Sequence, residues 1–185
     1  MFKLSKTLAG AVVALSGALV LAASASATTA TATLSAGTLG FINSTPGSVS
    51  FAGTLTGVDQ SLSTTQAFDV GDATGSGAGW NITATSTTFT SGSHTLPTGA
   101  TTVQTAPTDA CDSGVTCTLA TNGTTYPYSL PAAATAPTAT KLIDTAAGTG
   151  MGDQTVTPTW KLSVPGNTLA GTYTSTWTLS LVSGP

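Results

Sequence analysis

Two cysteines, one histidine and seven aspartates are the side chains of this 185-residue chain with the greatest capacity for chemistry. Cys111 and Cys117 stand in CDSGVTC with five residues between them. In an oxidising compartment that spacing predicts a disulfide closing a tight local loop, and its role is to pin the surrounding segment. The competing zinc reading needs two more ligands, which one His and no further Cys do not complete. His94, in SGSHTLP, would need an orienting carboxylate and a nucleophile to work as a catalytic base, and the sequence around it suggests a solvated loop. Asp69 and Asp72, in FDVGDATGSG, are placed for an Asp turn or cap, with an incomplete Ca²⁺ loop as the competing reading. Paired-carboxylate glycosidase chemistry has no motif here. LPTGA lacks the residue a sortase signal places between Pro and Thr, and the Asn-x-Ser/Thr sequons at Asn43 and Asn81 are common by chance in Thr-rich sequence. The expectation is a protein that is not an enzyme and carries no metal or cofactor.

The three tryptophans remain. Each opens a Trp-x-aliphatic step: Trp80 with Ile82, Trp160 with Leu162, and Trp177 with Leu179. Two residues apart on a strand, such a pair shares one face. Core packing is one use of that face; an exposed aromatic platform that stacks on sugar rings is the other.

Elements must position these residues, and the first is at the amino terminus. MFKLSKTLAGAVVALSGALVLAASASATT has Lys3 and Lys6, an apolar stretch from Leu8 to Ala23, and small residues at Ala25 and Ala27. That order predicts a cleaved secretory signal peptide helix over residues 1–27 rather than a membrane anchor. The mature domain, residues 28–185, then keeps Lys141 and Lys161 against seven Asp, a formal charge of −5, with no Arg or Glu. Without a basic patch, nucleic acid and anionic membrane surfaces are not expected partners.

The mature chain is of single-domain length and rich in Thr, Ser, Gly and Ala. Several segments alternate: Ala30, Ala32 and Leu34; Val49, Phe51 and Leu55; Trp80, Ile82 and Ala84; Val156 through Val164; and Tyr173, Ser175, Trp177, Leu179 and Leu181. Period two predicts antiparallel strands with one buried and one Thr/Ser-covered face. PGNTLAGT between the last two strands predicts a hairpin, with Trp160 and Trp177 close across it or on facing sheets. Pro158 moves its strand toward an edge or a bulge. Residues 95–140, rich in Pro, Gly and small side chains, predict a long excursion of loops and short strands laid over the domain.

GWNITATSTTFT and AAGTGMGDQTVTPTWKLSVPGNTLAGTYTSTWTLSLVSGP, together with the signal segment, resemble the WxL-type cell-surface domains of Gram-positive bacteria. The resemblance covers most of the mature chain, most closely Asp69–Phe89 and Ala146–Pro185. It departs at Ile82, where the motif has Leu, and at Trp177, which follows Tyr173 by four residues where the family has six. It implies an exported β-rich domain that associates non-covalently with the wall. Trp80, Ile82, Trp160, Leu162, Trp177 and Leu179 would then be motif and binding residues.

Together these readings predict an all-β, Ig-like sandwich of antiparallel strands over residues 28–185. The expected function is that of a secreted, non-catalytic protein of the bacterial surface. Its partner is peptidoglycan or another wall polymer, with other surface proteins as further candidates. A structural subunit of pilin-like or sheath-like type, joined through an exposed edge strand, is the alternative, suggested by TTATATLS.

Overall fold

Proline and register decide how this chain folds. The computed structural model describes residues 26–43 and 46–185. The expected signal segment, residues 1–27, therefore lies outside the described residues except for its last two positions. Residues 26–34 form no strand and are exposed throughout. The rest of the description concerns Ser35–Pro185, which forms a compact unit of its own.

In that unit the strands are β1 (Leu39–Phe41), β2 (Gln60–Thr65), β3 (Phe68–Asp72), β4 (Trp80–Thr87) and the small pair β5 (Thr90–Ser91) and β6 (His94–Thr95). There follow β7 (Thr101–Val103), β8 (Thr108–Cys111), β9 (Tyr128–Ser129) and β10 (Ala132–Ala133). The chain ends with β11 (Thr140–Asp144), β12 (Gly152–Thr157), β13 (Thr159–Val164) and β14 (Trp177–Ser183). No described residue is helical.

The first sheet is built on one long ribbon. β2 pairs with β13 and β3 with β12, both antiparallel, and the register carries through from Thr65 opposite Thr159 to Phe68 opposite Val156. Between these pairs the Gln66 N–H donates to the Pro158 carbonyl at 3.2 Å. Pro158 has no N–H to return the bond, which is why one long strand reads as two. On the other flank β7 pairs with β13 and β8 with β12. There the register slips by two residues, so Gln104–Pro107 bulges opposite Pro158. The Pro158 strand is thus central, and the irregularity it forces appears in its neighbour.

The second sheet is centred on β4, with β14 antiparallel on one side and β11 antiparallel on the other; β10 adds a two-residue parallel pairing. The two sheets enclose one core in which Phe68, Trp80, Ile82, Leu142 and Trp160 are buried, giving the all-β sandwich that the alternation predicts.

Two expectations are corrected. β13 and β14 do not form a hairpin: the connection crosses from one sheet to the other, and β14 pairs with β4 instead. Trp160 and Trp177 meet from facing sheets, edge to face, with ring centroids 4.8 Å apart. The 95–140 segment is not laid over the sandwich either. It supplies β7, β8, β9 and β10 to the sheets, and Val103 and Leu130 to the interior.

Cys111 and Cys117 are joined, with Cα atoms 5.5 Å apart. A loop this short contributes about 2 kcal/mol on a chain-entropy argument. The turn that receives Trp80 is equally constrained. Gly150 has φ +76°, its carbonyl accepts the Trp80 indole N–H at 2.8 Å, and a Cβ there would lie 2.6 Å from the indole nitrogen. Gly148 has φ +80° with open space around it. Gly148→Ala should therefore cost about 1–2 kcal/mol, the left-handed backbone term alone. Gly150→Ala adds the collision, worth about 1–3 kcal/mol more. Urea denaturation of the two variants measures the difference.

Candidate functional site

The aromatic and aliphatic residues near the ends of β2 and β13 are drawn into a second, smaller cluster. Leu96, Ala100, Leu162 and Val164 are buried there, and Phe51, Leu62, Phe89 and Tyr173 pack partly buried against them. Above this floor lies an open cleft of 670 Å³ with two walls from distant parts of the chain.

One wall is Val49–Leu55. Its alternation predicts a strand, and Val49 and Phe51 pack half-buried against the core, but Leu55 is exposed along the cleft and the backbone joins no ladder. Side chains hold it instead. Gln66 Nε2 donates to the Gly47 carbonyl at 2.6 Å and Gln60 Nε2 to the Thr54 carbonyl at 2.8 Å. A Cβ on Gly53 would come within 2.6 Å of the Leu62 side chain, so the wall presses directly on β2.

The other wall is Thr168–Tyr173, from the connection between β13 and β14. The Tyr173 hydroxyl donates to the Leu169 carbonyl at 3.1 Å, curling this wall upon itself. A Cβ on Gly171 would lie 2.6 Å from Ser91 Oγ, so this wall seats closely against β5.

Among the described residues, none that lines this cleft is charged. Its lining combines the aromatic side chains of Phe51, Phe89 and Tyr173 with the hydroxyl-bearing residues Ser50, Thr54, Thr168 and Thr172. Such a surface suits a neutral, hydroxyl-bearing ligand: apolar ring faces take the C–H side of a sugar, and the hydroxyls take its polar edge. A smaller cleft of 320 Å³ adjoins it, sharing Val49, Phe89 and Tyr173 and bordered by Trp177 and Leu179.

The six Trp-x-aliphatic residues divide by burial. Trp80, Ile82 and Trp160 have no exposed surface, and Leu162 is 4% exposed. The enclosed side chains of Trp80, Ile82 and Trp160 pack in the core, out of a polymer's reach, whereas Leu162 lies in the floor of the larger cleft. Trp177 and Leu179 are half-buried and border the smaller cleft. Trp177 also packs on Phe51 and Phe89, with centroids 6.5 and 6.3 Å away. Alternation along one strand singles out these two; Phe51, Phe89, Leu169 and Tyr173, which line the larger cleft, are not among the expected residues. Only the register that brings the two walls together reveals them.

His94 is exposed on β6. Asp72 accepts the Thr74 N–H at 3.0 Å and the Thr74 hydroxyl at 2.6 Å, an Asp turn. Asp69 accepts from the Asn43 side-chain amide. Among the described residues no group of three His, Cys, Asp or Glu side chains is arranged to hold a metal ion.

No protein-family model, curated protein or solved structure matches this chain.

One carboxylate outside the cleft is perturbed. Burial pushes the Asp109 carboxyl above its ordinary value of 3.8, and N–H donation from Ala120 and Ala110 offsets part of this. Its Oδ2 accepts the Ala120 N–H at 2.7 Å, a donor shared with Gln154 Oε1 at 3.1 Å, while its buried Oδ1 has no partner. A raised native pKa means that the folded state holds the proton more tightly than the unfolded chain. Its contribution is complete below the unfolded value and is lost as pH rises through the native one. Asp109→Asn should remove that decline. Melting temperatures measured from about pH 3 to pH 6 should show the variant gaining on the wild type as pH rises.

Proposed function

We propose that this chain is an exported, non-catalytic protein of the bacterial surface that holds a wall polymer, peptidoglycan first among them, in the neutral cleft between Val49–Leu55 and Thr168–Tyr173. The uncharged, ring-and-hydroxyl lining of that cleft carries the proposal. Polysaccharide recognition needs flat apolar faces set among hydroxyl groups, and it needs no cation to pair with phosphate or carboxylate. The signal-like amino terminus and the resemblance to WxL-type domains supply the compartment and the polymer. The absence of Arg and Glu and the excess of Asp keep nucleic acid and acidic membrane surfaces out of the reading.

Binding in this reading rests on Tyr173 and Leu169 rather than on the enclosed tryptophans. Leu169 is 56% exposed at the cleft rim, so its removal leaves the core intact. Sedimentation with purified peptidoglycan sacculi should bring the residue 28–185 chain into the pellet. Tyr173→Ala should weaken that binding about tenfold, the effect of losing roughly 1.4 kcal/mol of contact, and Leu169→Ala should weaken it by a smaller factor. Circular dichroism must show both variants folded. Wild-type protein that stays in the supernatant would refute the proposal.

A further inference from the structure

We propose that the free edge of β14 is an assembly edge, and that the strand it receives is Thr28–Leu34 of a second copy of this chain. The inference is independent of wall binding, since it uses the backbone of β14 and not the walls of the larger cleft.

β14 pairs with β4 over seven residues in unbroken register, from Trp177 opposite Ser86 to Ser183 opposite Trp80. At the two ends of this ladder the Thr176 carbonyl accepts from Thr87 and the Gly184 N–H donates to Gly79, each at 2.9 Å. Backbone groups alternate sides along a strand. The N–H and C=O groups of Trp177, Leu179, Leu181 and Ser183 therefore point away from β4. Among the described residues no backbone hydrogen bond reaches them there.

Edges of this kind are ordinarily blunted by Lys, Pro, a bulge or a covering segment. Trp177–Ser183 has no charge, no proline and no bulge. Its inward row of Trp177, Leu179 and Leu181 is only half-buried, and Val182 is 48% exposed on the other face. Trp177 and Leu179 border the 320 Å³ cleft, and among the described residues the outward N–H and C=O groups of this edge have no hydrogen-bond partners.

The strand that fits must be uncharged, extended, and apolar at every second position with side chains small enough for a shallow row. TTATATL at Thr28–Leu34 has these properties. Ala30, Ala32 and Leu34 fall in step, Thr fills the remaining positions, and its length equals that of β14. Thr is β-branched and favours the pleated conformation. Residues 28–34 carry no strand of their own, and Leu34 is 93% exposed. Pairing with a second copy would satisfy both deficits at once, by the strand addition through which peptides join exposed sheet edges. One-way donation is heterologous and continues into chains, whereas reciprocal donation closes a dimer.

The test is cross-linking in trans with the residue 28–185 chain. Thr29→Cys, Thr31→Cys and Thr33→Cys variants are each mixed with a differently tagged Ser180→Cys variant under oxidation. These positions lie on the solvent face of the paired strands, clear of the bonded Cys111–Cys117 pair. The expected result is a disulfide-linked heterodimer in at least one mixture, lost when Ala32→Asp and Leu34→Asp are added to the donor. The same double substitution should leave sedimentation with sacculi unchanged. Two results would overturn the proposal. One is the lack of a heterodimer in every mixture, with light scattering giving a monomer mass at all concentrations. The other is a cross-link formed only within single chains carrying both cysteines, which would make the segment the cover of its own β14.

Discussion

An indole N–H taken out of water must find an acceptor, and this sandwich depends on two such pairings. Trp80 donates to the Gly150 carbonyl at 2.8 Å and Trp160 to Gln66 Oε1 at 2.9 Å. Leaving either donor unpaired would cost about 1–3 kcal/mol. Each pairing also shapes a connection. The first requires a left-handed glycine in the turn before β12. The second requires a buried glutamine where the long ribbon is interrupted at Pro158, and that glutamine's other end holds the Gly47 carbonyl. The same side chain thus satisfies a core tryptophan and anchors the start of a cleft wall.

From Trp160 the packing continues outward. Trp177 lies edge-on to it from the facing sheet, and Phe89 and Phe51 complete an aromatic series that leads from the core to the cleft. Edge-to-face contacts of this kind add about 0.5–1.5 kcal/mol each beyond the area they bury. The cleft is therefore the open end of the core, where the two sheets are bridged by rings instead of a ladder. This explains how a wall without backbone pairing keeps its place, and why the cleft's described lining is apolar and hydroxyl-bearing with no charge.

Much of the architecture is legible in the sequence because period two survives in the long strands. Trp80, Ile82 and Ala84, and likewise Trp160, Leu162 and Val164, face inward as their alternation requires. Alternation specifies a face and not a neighbour, so it could not tell that β14 pairs with β4 instead of β13. It fails where the period breaks. Leu142 and Ile143 are adjacent yet both buried, because β11 bulges between Lys141 and Ile143. It also misreads polar residues enclosed with a partner. Asn81 donates to the Gly184 carbonyl at 2.7 Å and Thr85 to the Pro137 carbonyl at 2.7 Å, so β4 is covered on both faces despite its Thr-rich outer side. The Trp-x-aliphatic steps stand out in the sequence, but most of them belong to the core. The cleft was hidden because its walls come from opposite ends of the compact unit.

In the proposed function the opening between these walls is the ligand site. The most direct measurement is amide NMR of the residue 28–185 chain titrated with a soluble, uncharged N-acetylglucosamine oligosaccharide, the neutral sugar of the wall glycan. Binding in the cleft should give saturable shifts confined to Val49–Leu55, Phe89 and Thr168–Tyr173, with the amides of β8 and the disulfide loop unmoved. Shifts clustered elsewhere, or none at any oligosaccharide concentration, would contradict it.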